Sequence, residues 1–175
     1  AFSTAYYALH HLANIEATDR VLIHAAAGGV GQAAVQLAQR AGAEIFGTAS
    51  QPKWDYLKST GVSHVMSSRT LEFADEINHL TNGKGVNIVL NSLSGDFIEK
   101  SFDIIAKNGR FVELGKADIW DEQQVQAHRP DVNYFPFDFR EEYSVDPVLV
   151  PTILDKLIIA FNEGSLKPLP RTIFS

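Results

Sequence analysis

The 175-residue sequence predicts an α/β fold, a doubly wound parallel sheet of about six strands with helices on both faces. Short apolar runs without polar alternation recur along the chain, as expected of strands buried on both faces. Each is followed by a segment with apolar residues at helical spacing, the pattern of right-handed parallel crossovers. Between the first run and its helix stands a glycine-rich turn, Ala26-Ala27-Gly28-Gly29-Val30-Gly31.

The elements follow in order. Phe2, Tyr6, Leu9, Leu12 and Ala13 keep helical spacing behind Ser3 and Thr4, which can cap, so residues 2–13 predict a first helix. Arg20 to Ala27 reads as the first strand, Gln32 to Arg40 as its helix, and Gly42 as the stop. Glu44 to Thr48 is a second strand. Ser50-Gln51-Pro52 opens a helix that carries Trp54, Tyr56 and Leu57 to a stop at Gly61. His64 to Met66 is a short third strand, Leu71 to Leu80 a helix, residues 82–85 a turn, and Val86 to Leu90 a fourth strand. Phe97 to Ala106 predicts a helix, Arg110 to Leu114 a fifth strand and Asn133 to Phe137 a sixth. Pro147 to Asn162 predicts the last helix, bounded by Gly164.

Composition narrows the function. Fifteen Lys and Arg against 21 Asp and Glu give a net charge of −6 with no basic tract, which disfavours nucleic-acid binding. A hydrophobic fraction of 45% beside 21% charged residues is that of a globular chain with a real core, read here as one domain over residues 1–175. Cysteine is absent, so neither a disulfide nor a thiolate zinc site can form. The six histidines include no pair at ligand spacing, and no metal is expected. No repeat, low-complexity segment, secretory leader or apolar run of about 18 residues appears, so no membrane partner is expected and cytoplasm is the default location.

The turn matches G-x-G-x-x-G with Ala at its first position, in the strand and helix context that makes the motif informative. The middle glycine lets main chain approach a pyrophosphate, the last lets helix pack on strand, and the helix N-terminus offers oriented N–H groups. Read this way, Ala27, Gly28, Gly29, Val30 and Gly31 hold a dinucleotide on a Rossmann fold. The bland alternative is a tight turn using glycine for geometry alone. About 20 residues further on, NAD-binding chains place a carboxylate on the ribose. Here the sequence runs Thr48-Ala49-Ser50-Gln51-Pro52-Lys53. A lysine in the first turn of a helix opposes the macrodipole, which an anionic partner explains. The 2'-phosphate of NADPH is the natural one, with Thr48 nearby and Ser50, Lys53, Ser68 and Arg69 as donors. The alternative is solvated surface cations. Trp54 and Tyr56 are expected to pack, Phe135, Phe137 and Phe139 to alternate as in a strand, and the acids of 72–76 and Asp121-Glu122 to be solvated faces.

Five ordered segments carry a family resemblance: TAYYAL from Thr4, VLIHAAAGGVGQAAVQLA from Val21, FGTAS from Phe46, VLNSLSG from Val89 and GRFVELGKADI from Gly109. Together they resemble the enoyl reductase domains of modular polyketide synthases and animal-type fatty acid synthases, of the medium-chain dehydrogenase/reductase superfamily, near the quinone oxidoreductases. The resemblance spans nearly the whole chain. It implies transfer of hydride from NADPH to Cβ of an α,β-unsaturated acyl thioester on an acyl carrier protein, with a proton to Cα, among the other domains of a megasynthase. It places Asn91, Ser92, Leu93, Leu114 and Gly115 beside the nicotinamide half, and makes Lys116 and then Asp138 the candidate proton donors. From the residues alone, Lys116 and Asp138 are equally a salt bridge or two solvated loop residues. A cation stabilising the enolate without giving up a proton lies between these readings.

The resemblance also implies a barrel-like substrate lobe, expected to be absent from this chain, so that isolated turnover is doubtful and the missing lobe is itself a source of the proton. Two other readings stay open. One is a non-catalytic dinucleotide-binding or scaffold lobe, with a possible homodimer through the sixth, edge strand. The other is a piece of a free-standing quinone or alkenal reductase. Acyl chain, stereochemistry and a variant outcome such as ring closure are not written in these residues.

Overall fold

Six parallel strands form one sheet in the order β3-β2-β1-β4-β5-β6 in the computed structural model, which describes residues 1–170. The strands are β1 Arg20–Ile23, β2 Glu44–Ala49, β3 His64–Ser67, β4 Val86–Asn91, β5 Ile105–Glu113 and β6 Asn133–Pro136. The helices are α1 Phe2–Tyr6, continued as a π-helix over Tyr7–Leu12, then α2 Gly29–Ala41, α3 Trp54–Ser59, α4 Phe73–Leu80, α5 Asp96–Asp103, α6 Glu122–His128, α7 Phe139–Val145 and α8 Leu149–Glu163. The doubly wound class expected from the sequence is borne out.

The apolar runs lack polar alternation because both faces are covered. Val21 and Ile23 of β1, Ile45 of β2 and Val112 of β5 join the core under α1, α2 and α8. Their neighbours Leu22, Phe46 and Phe111 point the other way, into the core under α4, α5 and α6. In β1 alone Val21, Leu22 and Ile23 are all fully buried, each worth about 1.5–3 kcal/mol of transfer free energy. Helix ends fall where the sequence marks them: Gly42 (φ 85°) and Gly164 (φ 80°) close α2 and α8 in the left-handed conformation.

Several boundaries differ from the expectation. β1 stops at Ile23, not Ala27, because Ala25 turns to φ 51° and residues 24–28 form a turn. α2 accordingly starts at Gly29, not Gln32. The helix expected to reach Ala106 ends at Asp103, and β5 begins at Ile105, which pairs with Val86. The Arg129 guanidinium enforces that break, donating to the carbonyls of Phe102 (2.7 Å) and Ile105 (2.9 Å). α6 and α7 were not anticipated. Asp121 opens α6 with a capping box to Gln124, and Asp138 caps α7 by accepting from the Arg140 N–H.

Candidate dinucleotide cleft

The sheet order reverses direction between β1 and β4, and a crevice at the carboxyl ends of these strands is where open α/β sheets take ligands. The glycine turn forms one wall. Gly28 is the N-cap of α2 in extended conformation (φ −75°, ψ 175°), and its N–H donates to the Ala25 carbonyl (3.0 Å). No side chain caps the helix and no acid sits in its first turn. The leading end of this 13-residue helix therefore keeps its positive potential for an external anion.

A methyl group added at each glycine shows what the turn accommodates. At Gly31 it would strike the Ala25 carbonyl oxygen and lie 2.7 Å from Ala26 Cα, so this glycine exists for helix-to-strand packing. At Gly29 it would meet nothing nearer than Ala1 Cβ at 4.0 Å. An exposed, uncapped helix start with open space above Gly29 fits a pyrophosphate.

His24 lies beneath this wall, 3% exposed. Its Nδ1 is 3.0 Å from Thr48 Oγ1 and its Nε2 is 2.8 Å from Ser101 Oγ, which itself donates to the Phe97 carbonyl (2.6 Å). With that hydroxyl proton spent, Nε2–H must donate to Ser101 and Nδ1 must accept from Thr48. The ring is thus a neutral tautomer tying β1 to β2 and α5. Burial holds its pKa down at about 3. Thr48, expected near the cofactor, is fully buried, and its hydroxyl also accepts from the Ala25 N–H (3.2 Å). Its side chain supports the turn from below.

Beyond the turn, Leu90, Ser92 and Leu114 close a cavity of about 180 Å³ against His24, Ala25, Gly28, Val30 and Gly31. Behind Ser92 and Leu114, Asn91 and Glu113 face each other across β4 and β5, both 0% exposed. Asn91 Nδ2 donates to Glu113 Oε2 (2.8 Å) and to the Leu93 carbonyl (2.8 Å), so its amide shapes the loop from within. Glu113 was not picked out from the sequence. The signal was present: a charged residue ending an apolar strand run, as in Arg110 to Glu113.

A second cavity, about 300 Å³, is lined by Gly115, Lys116, Pro136, Phe137 and Asp138, its wall starting one residue after Leu114 of the first. Lys116 Nζ donates to Asp138 Oδ2 at 2.7 Å, with side chains 72% and 25% exposed. The fold thus makes the salt bridge and also puts the pair on a cavity rim. The Lys116 ammonium and the Arg140 N–H hold the Asp138 carboxyl below its usual range.

At the other end, the Ser68 N–H donates to the Ala49 carbonyl (3.1 Å), placing Ser50 and Ser68 on adjoining strand ends. Lys53 is half-buried at the close of a short 3-10 turn, Gln51–Lys53, and Arg69 is exposed. Trp54 packs, its Nε1–H donating to the Ala49 carbonyl (2.9 Å).

The model of the zinc-binding dehydrogenase family matches residues 29–141. The chain belongs to that family. Among solved structures, the chain superposes on the CurK enoyl reductase with a TM-score of 0.96 and 55% identity, over 99% of this chain and 52% of that one. The nucleotide-binding subdomain of the enoylreductase domain of PpsC from Mycobacterium tuberculosis matches with a TM-score of 0.88 and 37% identity, over 97% of this chain and 98% of that one. The pikromycin polyketide synthase component PikAII of Streptomyces venezuelae is 44% identical over 173 residues, of whose length this chain spans 4%. Within its family the chain is a nucleotide-binding lobe of the polyketide synthase enoyl reductase type, and these dehydrogenase and enoyl reductase relatives imply a nicotinamide dinucleotide cofactor.

The cleft's own donor set, an imidazole spent on two hydroxyls and one buried carboxylate, does not fit zinc. Among the described residues, exposed Glu99, Asp103 and His128 form a set close enough to share an ion. It lies where α5 descends toward the start of β5, away from the cleft. No described helix is long and apolar enough to cross a membrane.

Proposed function

We propose that this lobe binds NADPH in the crevice and that Lys116, oriented by Asp138, protonates Cα of an enoyl thioester carried on an acyl carrier protein. The observation that carries this reading is the 2.7 Å Lys116 to Asp138 pair on the rim of a cavity whose wall starts at Gly115, next along the chain to Leu114 of the glycine-turn cleft. Ala27 to Gly31 take the pyrophosphate at the start of α2. Ser50, Lys53, Ser68 and Arg69 take the 2'-phosphate, and Ser92, Leu93, Leu114 and Gly115 line the nicotinamide side. Bound there, NADPH supplies the hydride for Cβ. The resulting enolate needs a proton at Cα and a cation near its oxygen, and Lys116 offers both. Asp138, held ionised by Lys116 and the Arg140 N–H, has no proton to give and orients the ammonium. Solvent then returns the proton to Lys116.

The remaining half of the reductase, matching the part of the CurK chain that this one does not span, supplies the substrate lobe and closes the cleft. The neighbours are other domains of a cytoplasmic megasynthase. The outer side of β6 is an open sheet edge, which supports pairing with a second copy. In the two-lobed reductase, Lys116→Ala should lower kcat by about 100-fold or more while leaving the NADPH dissociation constant within twofold. An unchanged kcat refutes the role of Lys116. Failure of the parent chain to bind NADPH refutes the cofactor reading.

A further inference from the structure

We propose that Glu113 is a positioning residue of the cleft, whose carboxylate and main-chain carbonyl together set the loops carrying Ser92, Lys116 and Asp138. The proposal rests on the reading of Lys116 and Asp138 just given. Glu113 is the last residue of β5 and is 0% exposed. Among the described residues no Lys, Arg or His forms an ion pair with it. A buried carboxylate without a counter-ion is costly, so stability alone favours a neutral side chain at this position. What the carboxylate does instead is hold main chain.

Three loops hang from it. Oε1 accepts from the Gly115 N–H (2.8 Å), one residue before Lys116. Oε2 accepts from Asn91 Nδ2 (2.8 Å), whose own Oδ1 takes the Leu93 N–H (3.2 Å), bracketing Ser92. The Glu113 main-chain carbonyl accepts from the Phe137 N–H (3.1 Å), one residue before Asp138. The approach at Gly115 is so close that a methyl group there would lie 2.8 Å from Oε1 and push the carboxylate off its place.

The chemistry is specific to a carboxylate. Each oxygen faces an N–H donor, so both must be acceptors. Glutamine would turn an amide N–H toward either Asn91 or Gly115. Aspartate is one methylene short of reaching both donors. Burial pushes the carboxyl up and the two donors oppose it. The side chain thereby fixes the floor of the nicotinamide-side cavity and the place of the Lys116 loop, while the main-chain carbonyl of the same residue holds the Asp138 loop beside it.

The test uses this chain with its lysines methylated with carbon-13 at the amine, and the Lys116 methyl resonance identified by its loss in Lys116→Arg. Asp138→Ala supplies the resonance of an unpaired Lys116. Glu113→Gln is expected to melt cooperatively, to move the Lys116 resonance to the Asp138→Ala position, and to raise the NADPH dissociation constant by about tenfold. If Glu113→Gln fails to fold, Glu113→Asp is read by the same criterion. A Lys116 resonance that stays at the parental position in a folded variant overturns the proposal, whatever the change in melting temperature. Failure of the parent chain to bind NADPH would refute the cofactor reading alone, because the Lys116 resonance reports positioning without any ligand.

Discussion

Gly29 and Gly31 stand two residues apart in one turn, and alanine at each should separate binding from stability. At Gly31 the new Cβ would overlap the Ala25 carbonyl oxygen and sit 2.7 Å and 2.9 Å from Ala26 Cα and carbonyl carbon. All three are main-chain atoms of the turn that follows β1, so no side chain can swing away. Relief requires α2 to back off the sheet, and α2 buries Ala33, Ala34, Val35, Leu37 and Ala38 against it. Overpacking that must move a helix sits at the upper end of its usual range, about 3 kcal/mol. For a chain of this size that lowers the melting temperature by about 6–12 °C. At Gly29 the Cβ enters open space and helix propensity improves by up to about 1 kcal/mol, so the melt should hold or rise slightly. The same methyl crowds the helix start where an anion must approach, and the NADPH dissociation constant should rise at least about tenfold. Calorimetric melting and NADPH fluorescence titration on both variants decide the matter. A Gly31→Ala melt within 2 °C of the parent, or Gly29→Ala binding NADPH as tightly as the parent, refutes the division of labour.

Lys53→Ala should bring NADPH affinity to within about threefold of NADH affinity while leaving NADH binding unchanged, as calorimetric titration would show. His24 is neutral in the fold with a pKa of about 3 against 6.5 unfolded. The unfolded chain therefore binds the extra proton as pH falls below 6.5, and stability is lost through that window. From pH 7 to pH 5 the loss from this group is about 2 kcal/mol, measurable by urea unfolding, and His24→Asn should flatten the slope even if it lowers stability overall. Arg129→Ala removes the donor to the Phe102 and Ile105 carbonyls and the partner of Asp131. It should cost about 2–3 kcal/mol, and an unchanged urea midpoint would show that water takes over those carbonyls.

Much of the cleft was legible because its rules are local. Gly28 to Gly31 between an apolar run and a helical run specifies the turn and the uncapped helix start without any knowledge of the sheet. α6 and α7 were legible too: Asp121 with Gln124 is a capping box, and Asp138 precedes Glu141 and Glu142, acids suited to a first turn. Reading the Asp121-Glu122 pair only as a solvated face hid the first. The misplaced start of β5 is different in kind. Ile104 and Ile105 satisfy a helix or a strand equally well, and pairing with Val86 together with the Arg129 guanidinium decides between them.

The sequence by itself determined the doubly wound fold and the glycine turn, since hydrophobic period and backbone sterics act over a few residues. Only tertiary structure decided which polar groups face the cleft and which hold it up. Thr48, Asn91 and Glu113 are polar side chains at strand ends, and although an apolar run leads into each, nothing in their neighbours along the chain says which partner each one meets. Their roles come from partners 22 or more residues away, Glu113 for Asn91 and His24 for Thr48. A hydrogen bond of that span exists only after the parallel strands have been brought into register.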